Sequence, residues 1–337
     1  MELFFCRFFS RSLSVLGILC AVTLTQAYAK EEFTIAVIGK TKNDSFYEQS
    51  FKGCLSFAVK VSNLKCIYDG AEDYQDVRTQ SLVINELAEQ NVDAFLVSTT
   101  DSEYLVSHAL KNLNKKNIPV ITFDSDLLPK HQKYRLAYIG TNNFDFGTAL
   151  GELAKKFKKS EKQSICIQSG HHTTPNLNDR IAGVRHALSG QSKKRLAAES
   201  GWVEHPRCPL YTMGKRHASL EQVERFSSLK NPPIFLAVAG FAQFNPEYIE
   251  TMKAAKSKIT DGDFVIISAD TEQIQLDALK HGLSTVNLGQ KPFEMGRKSA
   301  ELMYNYLMKG LKPELDKYYL DYHLCDKSNF ENCTVNY

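Results

Sequence analysis

The stretch Phe33–Ala58, FTIAVIGKTKNDSFYEQSFKGCLSFA, decides how the rest of the chain is read. It opens with Phe33-Thr34-Ile35-Ala36-Val37-Ile38, an uncharged run rich in β-branched residues. That composition suits a strand buried on both faces, as in a parallel sheet. Gly39 ends the run, and Thr41-Lys42-Asn43-Asp44 forms a polar turn. A helix is predicted at once. Ser45 and Glu48 have capping-box spacing, and Tyr47, Phe51, Cys54, Ala58 and Val61 recur at helical intervals as an apolar stripe. Asn43 to Tyr47 therefore lies just past the carboxyl end of the first strand, where open α/β sheets bind ligands. Adjacent side chains on a helix point about 100° apart, so Tyr47 continues the stripe and Phe46 leaves it. An aromatic ring at the mouth of a sheet can cover the C–H face of a sugar while Asn43 and Asp44 take its hydroxyls. Packing of Phe46 under a neighbouring loop is the other reading.

Further apolar runs follow at Leu64–Tyr68, Ala94–Ser98, Val120–Phe123 and Leu136–Ile139, then at Ser164–Ile167, Ala197–Trp202, Ile234–Ala239, Phe264–Ala269 and Leu283–Leu288. Amphipathic stretches such as Val77–Gln90, Phe144–Lys158 and Pro292–Met308 separate them. Strands alternating with helices mean βαβ units and a parallel sheet. Ten strands are too many for one comfortable sheet, and the pattern restarts near residue 140. The predicted fold class is α/β, with two doubly wound parallel-sheet domains joined by short crossings that suit a hinge. Ser98, Asp124 and Asp270 stand at the carboxyl ends of predicted strands, on the same rim as Phe46. An aspartate after a strand is also a common helix N-cap, and Asp270-Thr271-Glu272-Gln273 reads equally well that way.

The first 29 residues read as a cleaved export signal. Arg7 and Arg11 precede an apolar stretch, Leu13 to Leu24, too short to span a bilayer, and Ala27-Tyr28-Ala29 has the small-x-small pattern of a cleavage site. Leu19 stands where a lipoprotein anchored at Cys20 would carry a small residue. Removal leaves 308 residues with 39 basic and 37 acidic side chains, a balance that argues against a nucleic-acid partner held by phosphate neutralisation. Six cysteines remain: Cys54, Cys66, Cys166, Cys208, Cys325 and Cys333. An even count in an exported chain favours disulfides, and six cysteines allow 15 pairings. Neighbours in sequence have a physical case. Cys54 lies on the first helix and Cys66 enters the next strand, while Cys325 and Cys333 close a short loop. The middle pair has no such local argument.

The order of these features resembles the type I periplasmic sugar-binding proteins, the ribose-binding branch in particular, over nearly the whole exported chain. Thr41-Lys42-Asn43-Asp44-Ser45-Phe46-Tyr47 is similar to that family's first ligand loop, and Asn117-Ile118-Pro119-Val120-Ile121-Thr122-Phe123-Asp124 to the strand whose aspartate takes sugar hydroxyls. Tyr138-Ile139-Gly140-Thr141-Asn142-Asn143 resembles the first hinge crossing. Asn178-Asp179-Arg180-Ile181-Ala182-Gly183-Val184 resembles the motif whose arginine donates to ligand. Asp270 matches the second-domain acid, and Gln290, before Lys291-Pro292-Phe293-Glu294-Met295-Gly296, the glutamine at the second crossing. The resemblance implies a periplasmic, monomeric protein without cofactor. Its lobes, 30–139 with 291–320 and 140–290 with 321–337, would close over a small polyhydroxylated ligand and present it to an ABC permease or a sensor kinase. The ligand set implied is Asn43, Asp44, Phe46, Tyr47, Ser98, Asp124, Arg180, Asp270 and Gln290.

Departures from the family pattern imply a pocket that does not copy the ribose site. Ser125 follows Asp124 where relatives carry arginine, Ala239-Gly240-Phe241 stands where they carry an asparagine, and Ser98 replaces another. A glycoside-cleaving pair made of Asp124 and Asp270 is the enzymatic rival. His171-His172 suggests a metal but lies in a polar loop with no partner at ligand spacing. The expected outcome for the exported protein is an N-terminus at Lys30 and the bridges Cys54–Cys66, Cys166–Cys208 and Cys325–Cys333. Peptide mapping without reductant tests this, and free thiols at those positions would refute it.

Overall fold

The computed structural model describes residues 32–333; the predicted export signal and its expected cleavage site lie outside them. Among the described residues the strands, in chain order, are β1 (Phe33–Ile38), β2 (Leu64–Asp69), β3 (Ala94–Val97), β4 (Val120–Phe123), β5 (Tyr138–Gly140), β6 (Gln163–Ser169), β7 (Trp202–Glu204), β8 (Leu210–Tyr211), β9 (Ile234–Ala237), β10 (Ile266–Ala269), β11 (Val286–Gly289), β12 (Lys317–Tyr319) and β13 (His323–Asp326). The helices are α1 (Ser45–Ala58), α2 (Val77–Ala88), α3 (Ser102–Leu105), α4 (Lys111–Lys115), α5 (Asn143–Lys155), α6 (Pro175–Ser189), α7 (Arg216–Ser227), α8 (Tyr248–Met252), α9 (Lys256–Thr260), α10 (Gln273–Lys280) and α11 (Pro292–Lys309).

These strands form two sheets, one in each lobe. The first runs β12-β5-β4-β3-β1-β2 and is parallel throughout. The second runs β13-β11-β10-β9-β6-β7, with β8 extending the pairing along β6. In it β13 alone, among the described strands, is antiparallel, to β11. Each sheet reverses its winding once, between β3 and β1 and between β9 and β6. A crevice opens at such a reversal because the flanking connections leave to opposite faces. Gly39-Lys40 and Ser98 follow the strands at the first reversal, and Gly170-His171 and Val238 those at the second.

The chain passes from the first sheet to the second after β5, returns between β11 and α11, and passes again between β12 and β13. All three passages leave from one edge of each sheet, that of β12-β5 and that of β13-β11. β8, β12 and β13 were not predicted. They are two to four residues long, and β12 is exposed or half-buried throughout, so no apolar run announces them. The predicted strand Ala197–Trp202 is a turn instead: Ala198 sits at φ 73° and Gly201 at φ 78°, and the strand begins at Trp202.

Apolar side chains cover both faces of each sheet, as uncharged strand runs require. In the first lobe, Ile35, Val37, Leu96 and Ile139 pack under α1 and α11, and Ala36, Ile38, Phe95 and Val97 under α2 and the helical stretch after β3. All three cysteine pairs are bonded. Cys54–Cys66 ties α1 to β2, Cys166–Cys208 ties β6 to the segment before β8, and Cys325–Cys333 closes the loop after β13.

Helices α1 and α11 approach closely because glycines face each other's backbone. A Cβ at Gly53 would meet the carbonyl of Phe293, and one at Gly296 the carbonyl of Ser50. Backbone cannot swing aside as a side chain can. Gly296→Ala is therefore expected to lower stability by about 1–3 kcal/mol despite alanine's better helix propensity. A thermal midpoint unchanged from the parent protein would refute this.

Candidate functional site

The carboxyl ends of the two sheets face each other, and the residues between them line a small cavity. Lys40, Asp44, Phe46, Tyr47, Gln75 and Asp124 come from the first lobe; Asn176, Arg180, Phe241, Phe244, Asp270 and Gln290 are among those from the second. Seven of the nine residues expected from the sequence meet there: Asp44, Phe46, Tyr47, Asp124, Arg180, Asp270 and Gln290. Two do not line it. Asn43 is exposed, and its carbonyl accepts from the Arg216 guanidinium. Ser98 is fully buried behind Asp124 and donates to Asp124 Oδ2 at 2.7 Å.

Local structure explains how the first helix delivers its residues. The N-cap of α1 is Asp44 rather than Ser45: its backbone is extended, and Oδ1 accepts from the Phe46 amide at 3.0 Å. Capping by Asp44 leaves Ser45 inside the helix and turns both Phe46 and Tyr47 inward, with their rings edge to face at 5.3 Å. Phe46 thus belongs to the core of the first lobe and to the cavity wall together. The acid of the second lobe takes the opposite role from a cap. Glu272 caps α10 in a capping box with Gln275, which leaves Asp270 to the cleft. Asp124 and Asp270 occupy equivalent places, each following its strand with positive φ, 57° and 74°. Aspartate tolerates this left-handed region better than most residues, and here it turns each carboxylate toward the facing lobe.

Asp124 is the centre of the polar network. Oδ2 accepts from the Tyr47 hydroxyl at 3.0 Å, from Ser98 and from Lys40 Nζ at 3.0 Å, and Oδ1 accepts from Asn176 Nδ2 at 3.1 Å. Burial alone would raise the Asp124 pKa, but Lys40, Arg180 and the Ser98 hydrogen bond outweigh it and hold the carboxyl below its usual range. Burial pulls Lys40 down, while Asp124 pulls it back up. Arg180 is buried and held at every nitrogen: Nε donates to Asn143 Oδ1 at 2.8 Å, Nη1 to the Val238 carbonyl at 2.9 Å, and Nη2 to Gln290 Oε1 at 2.8 Å. The Phe146 ring lies 4.6 Å from the guanidinium carbon, and Gln290 Nε2 donates to Asp270 Oδ1 at 2.8 Å. Burial raises Asp270, against the opposing pull of Arg180.

Sequence reasoning passed over Lys40, Gln75, Asn176 and Phe244. Lys40 immediately follows the strand-ending Gly39 at the winding reversal, and that position was the available signal. Asn176 lies one helical turn before Arg180 on α6, inside the helix that carries the quoted motif. Gln75 is nearly fully buried at the cleft mouth. Its amide N–H donates to the Met213 carbonyl of the second lobe at 3.0 Å, and added Cβ atoms on Gly170 and Gly214 would strike its side chain. His171 and His172 stack at 4.7 Å near this rim. Among the described residues, no group of three or more His, Cys, Asp and Glu side chains is placed to hold a metal ion.

Comparison with known proteins places this geometry among relatives. Residues 35–312 match the family described as periplasmic binding protein domain. The chain is 25% identical over 207 residues to the D-ribose/D-allose-binding protein of Pseudomonas aeruginosa, covering 59% of this chain and 64% of that protein, somewhat under two thirds of its length. It is 23% identical over 314 residues to the ribose import binding protein of Escherichia coli, covering 92% of this chain and 95% of that one. Among solved structures it is similar to an ABC transporter solute-binding protein from Burkholderia graminis in complex with D-arabinose, with a TM-score of 0.74 at 21% identity, covering 91% of this chain and 99% of that one.

Asp44 gives the cleft a measurable pH signature. Burial raises its pKa to about 6, against Arg216 and the Phe46 amide, which lower it, with Asp270 and Asp124 adding to the rise. Between pH ~4 and ~6 the native carboxyl holds a proton that the unfolded chain has lost, so stability falls as pH rises through that window. The drop amounts to about 3 kcal/mol and is complete above it. Asp44→Asn keeps the cap acceptor and cannot titrate. Its stability relative to the parent is therefore expected to rise from pH 4 to 7, read by denaturant midpoints at each pH; a constant difference would show that Asp44 titrates normally.

Proposed function

Since the chain belongs to the periplasmic binding protein family, we propose that it closes over a small neutral polyol, a sugar or cyclitol, and presents it to a membrane ABC permease. The lobes in this reading are 30–139 with 291–320 and 140–290 with 321–337, with hinge crossings near Ile139–Gly140, Gln290–Lys291 and Leu320–Asp321. The observation that carries it is the cavity between the two winding reversals, where flat apolar rings and hydrogen-bonding charges converge from both lobes. Phe46, Phe241 and Phe244 offer ring surface, and Asp44, Asp270 and Arg180 offer acceptors and donors. Hydrogen bonds to charged groups contribute about 1.5–3 kcal/mol each, so a few set specificity once the cleft excludes water. The buried cations of the site already have carboxylates beside them, Lys40 and Arg180 next to Asp124, with Arg180 also acting on Asp270. That pairing favours an uncharged ligand over an amino acid, whose paired charges call for a carboxylate clamp.

Family and relatives are binding proteins rather than enzymes. Those relatives bind ribose or allose by name, and the changes at Ser98, Ser125 and Ala239-Gly240-Phe241 support a differently substituted ring here. No described helix is long and apolar enough to cross a membrane.

A panel of pentoses, hexoses and cyclitols screened by thermal shift is expected to contain a stabilising compound. Phe46→Ala and Asp270→Ala should each weaken its binding. Asp270→Ala should be the more damaging, at about 2–5 kcal/mol, because it leaves buried donors without their acceptor. Stabilisation by amino acids or peptides with none from the sugar panel would overturn the ligand class and leave the family assignment intact.

A further inference from the structure

Asn176 lies in the first turn of α6, 2% exposed, and its carboxamide spans the cleft. Oδ1 accepts from Lys40 Nζ at 2.9 Å and Nδ2 donates to Asp124 Oδ1 at 3.1 Å. One small group of the second lobe therefore occupies an adjacent donor and acceptor of the first. An ionised carboxylate has roughly four lone-pair sites. On Asp124, Tyr47, Ser98 and Lys40 crowd Oδ2, while Oδ1 accepts from Asn176 and has Arg180 Nη2 at 3.8 Å, so a ligand hydroxyl that donates where Asn176 does must replace that amide. Tyr47, Ser98 and Lys40 belong to the same lobe as Asp124 and stay with it when the lobes part; Asn176 does not.

Space leads to the same residue. The cavity beside the bridge measures about 30 Å³, room for on the order of two water molecules and far less than a sugar ring requires. A second cavity of about 220 Å³ lies between the lobes on the hinge side, bounded by Tyr138, Thr141, Asn178 and Lys317 among others. Asn176 lines both, and the larger one gives its side chain room to swing away from Lys40 and Asp124.

We propose that Asn176 is a built-in stand-in for the ligand and that Lys40 and Asp124 are the specificity pair it covers. Two neighbouring hydroxyls of a sugar or cyclitol ring displace the carboxamide, one accepting from Lys40 and the other donating to Asp124. This assignment rests on the polyol reading above and adds to it the ring feature that is recognised, a free adjacent hydroxyl pair. It also gives the protein a closed form of its own, held by the amide, against which ligand competes. A binding-competent form that is only partly populated weakens apparent affinity by its fraction.

The test uses ligand-stripped full-length exported protein and its Asn176→Ala and Asn176→Ser variants, with circular dichroism as the check on folding. Small-angle scattering without ligand is expected to give both variants a larger radius of gyration than the parent, because the bridge at the centre of the cleft is lost and only those such as Gln75–Met213 and Arg216–Asn43 at its rim remain. An unchanged radius overturns the proposal whether or not any sugar binds. Calorimetry with D-ribose, D-allose and myo-inositol as probes supplies the second arm. A competing stand-in makes Asn176→Ala bind tighter, by about threefold to tenfold, whereas a residue that touches bound ligand makes it bind more weakly, which overturns the proposal. If no probe binds any of the three proteins, the polyol reading fails on its own, and the scattering arm still decides whether Asn176 holds the lobes together.

Discussion

Lys40 and Asp124 are each almost completely buried, 1% and 3% exposed, and the cleft is arranged around keeping that pair satisfied. Removing two charges from water costs several kcal/mol per ion, and their attraction offsets the cost only when the remaining donors and lone pairs are also met. The neighbours do this. Tyr47 reaches Asp124 from α1, Ser98 from the end of β3, and Asn176 from α6 across the cleft. A strand-end aspartate with positive φ is needed to turn the carboxylate into their midst, and the winding reversal puts Lys40 opposite it. Several features that look independent in the sequence, a hydroxyl after β3, an aromatic in the first turn of α1 and an amide one turn before Arg180, are partners of one ion pair.

The sequence made the larger architecture legible because the physics behind it is local. Uncharged β-branched runs alternating with amphipathic stretches specify buried parallel strands and covering helices without reference to distant residues. Asp124, Arg180 and Asp270 were legible through motif resemblance; the two aspartates converge because each directly follows a strand, and Arg180 reaches them from the second turn of α6. What escaped depends on tertiary placement. Only its place directly after Gly39 separates Lys40 from Lys42, which is half-exposed and pairs with Glu72 at the surface, yet the two lysines face opposite environments. The capping box spelled by Ser45 and Glu48 lost to Asp44 one residue earlier, because an extended aspartate can cap the same turn. Short strands β12 and β13 exist because a neighbouring edge is available to pair with, information that three or four residues cannot carry alone.

The charge arrangement also accounts for what the cleft is not suited to. Asp124 is held ionised beside two cations, while Asp270 and Asp44 are pushed toward their neutral forms by burial. A pair of carboxyls with separated pKa values is one ingredient of acid–base hydrolysis. Here, however, the ionised member accepts from Tyr47, Ser98 and Lys40 on Oδ2 and from Asn176 on Oδ1, which holds it as an anchored counter-ion. The same residues read more naturally as the walls of a binding site.

The strand order fixes where leverage lies. The chain passages between lobes leave from the β12-β5 and β13-β11 edges, whereas Gln75 follows β2 and Met213 follows β8, at the far edge of each sheet. Rotation about the connecting edge moves a point in proportion to its distance from the axis, so the rim travels most and the Thr141–Gln290 contact least. A hydrogen bond at the rim, such as that from Gln75 to Met213, therefore exerts the largest torque against opening for a given bond strength. The Cys166–Cys208 bridge sits directly behind this lever, anchoring to β6 the segment that carries Met213 and Arg216. The staple holds the jaw at the long end of its arm, where a loose loop would dissipate the most mechanical advantage.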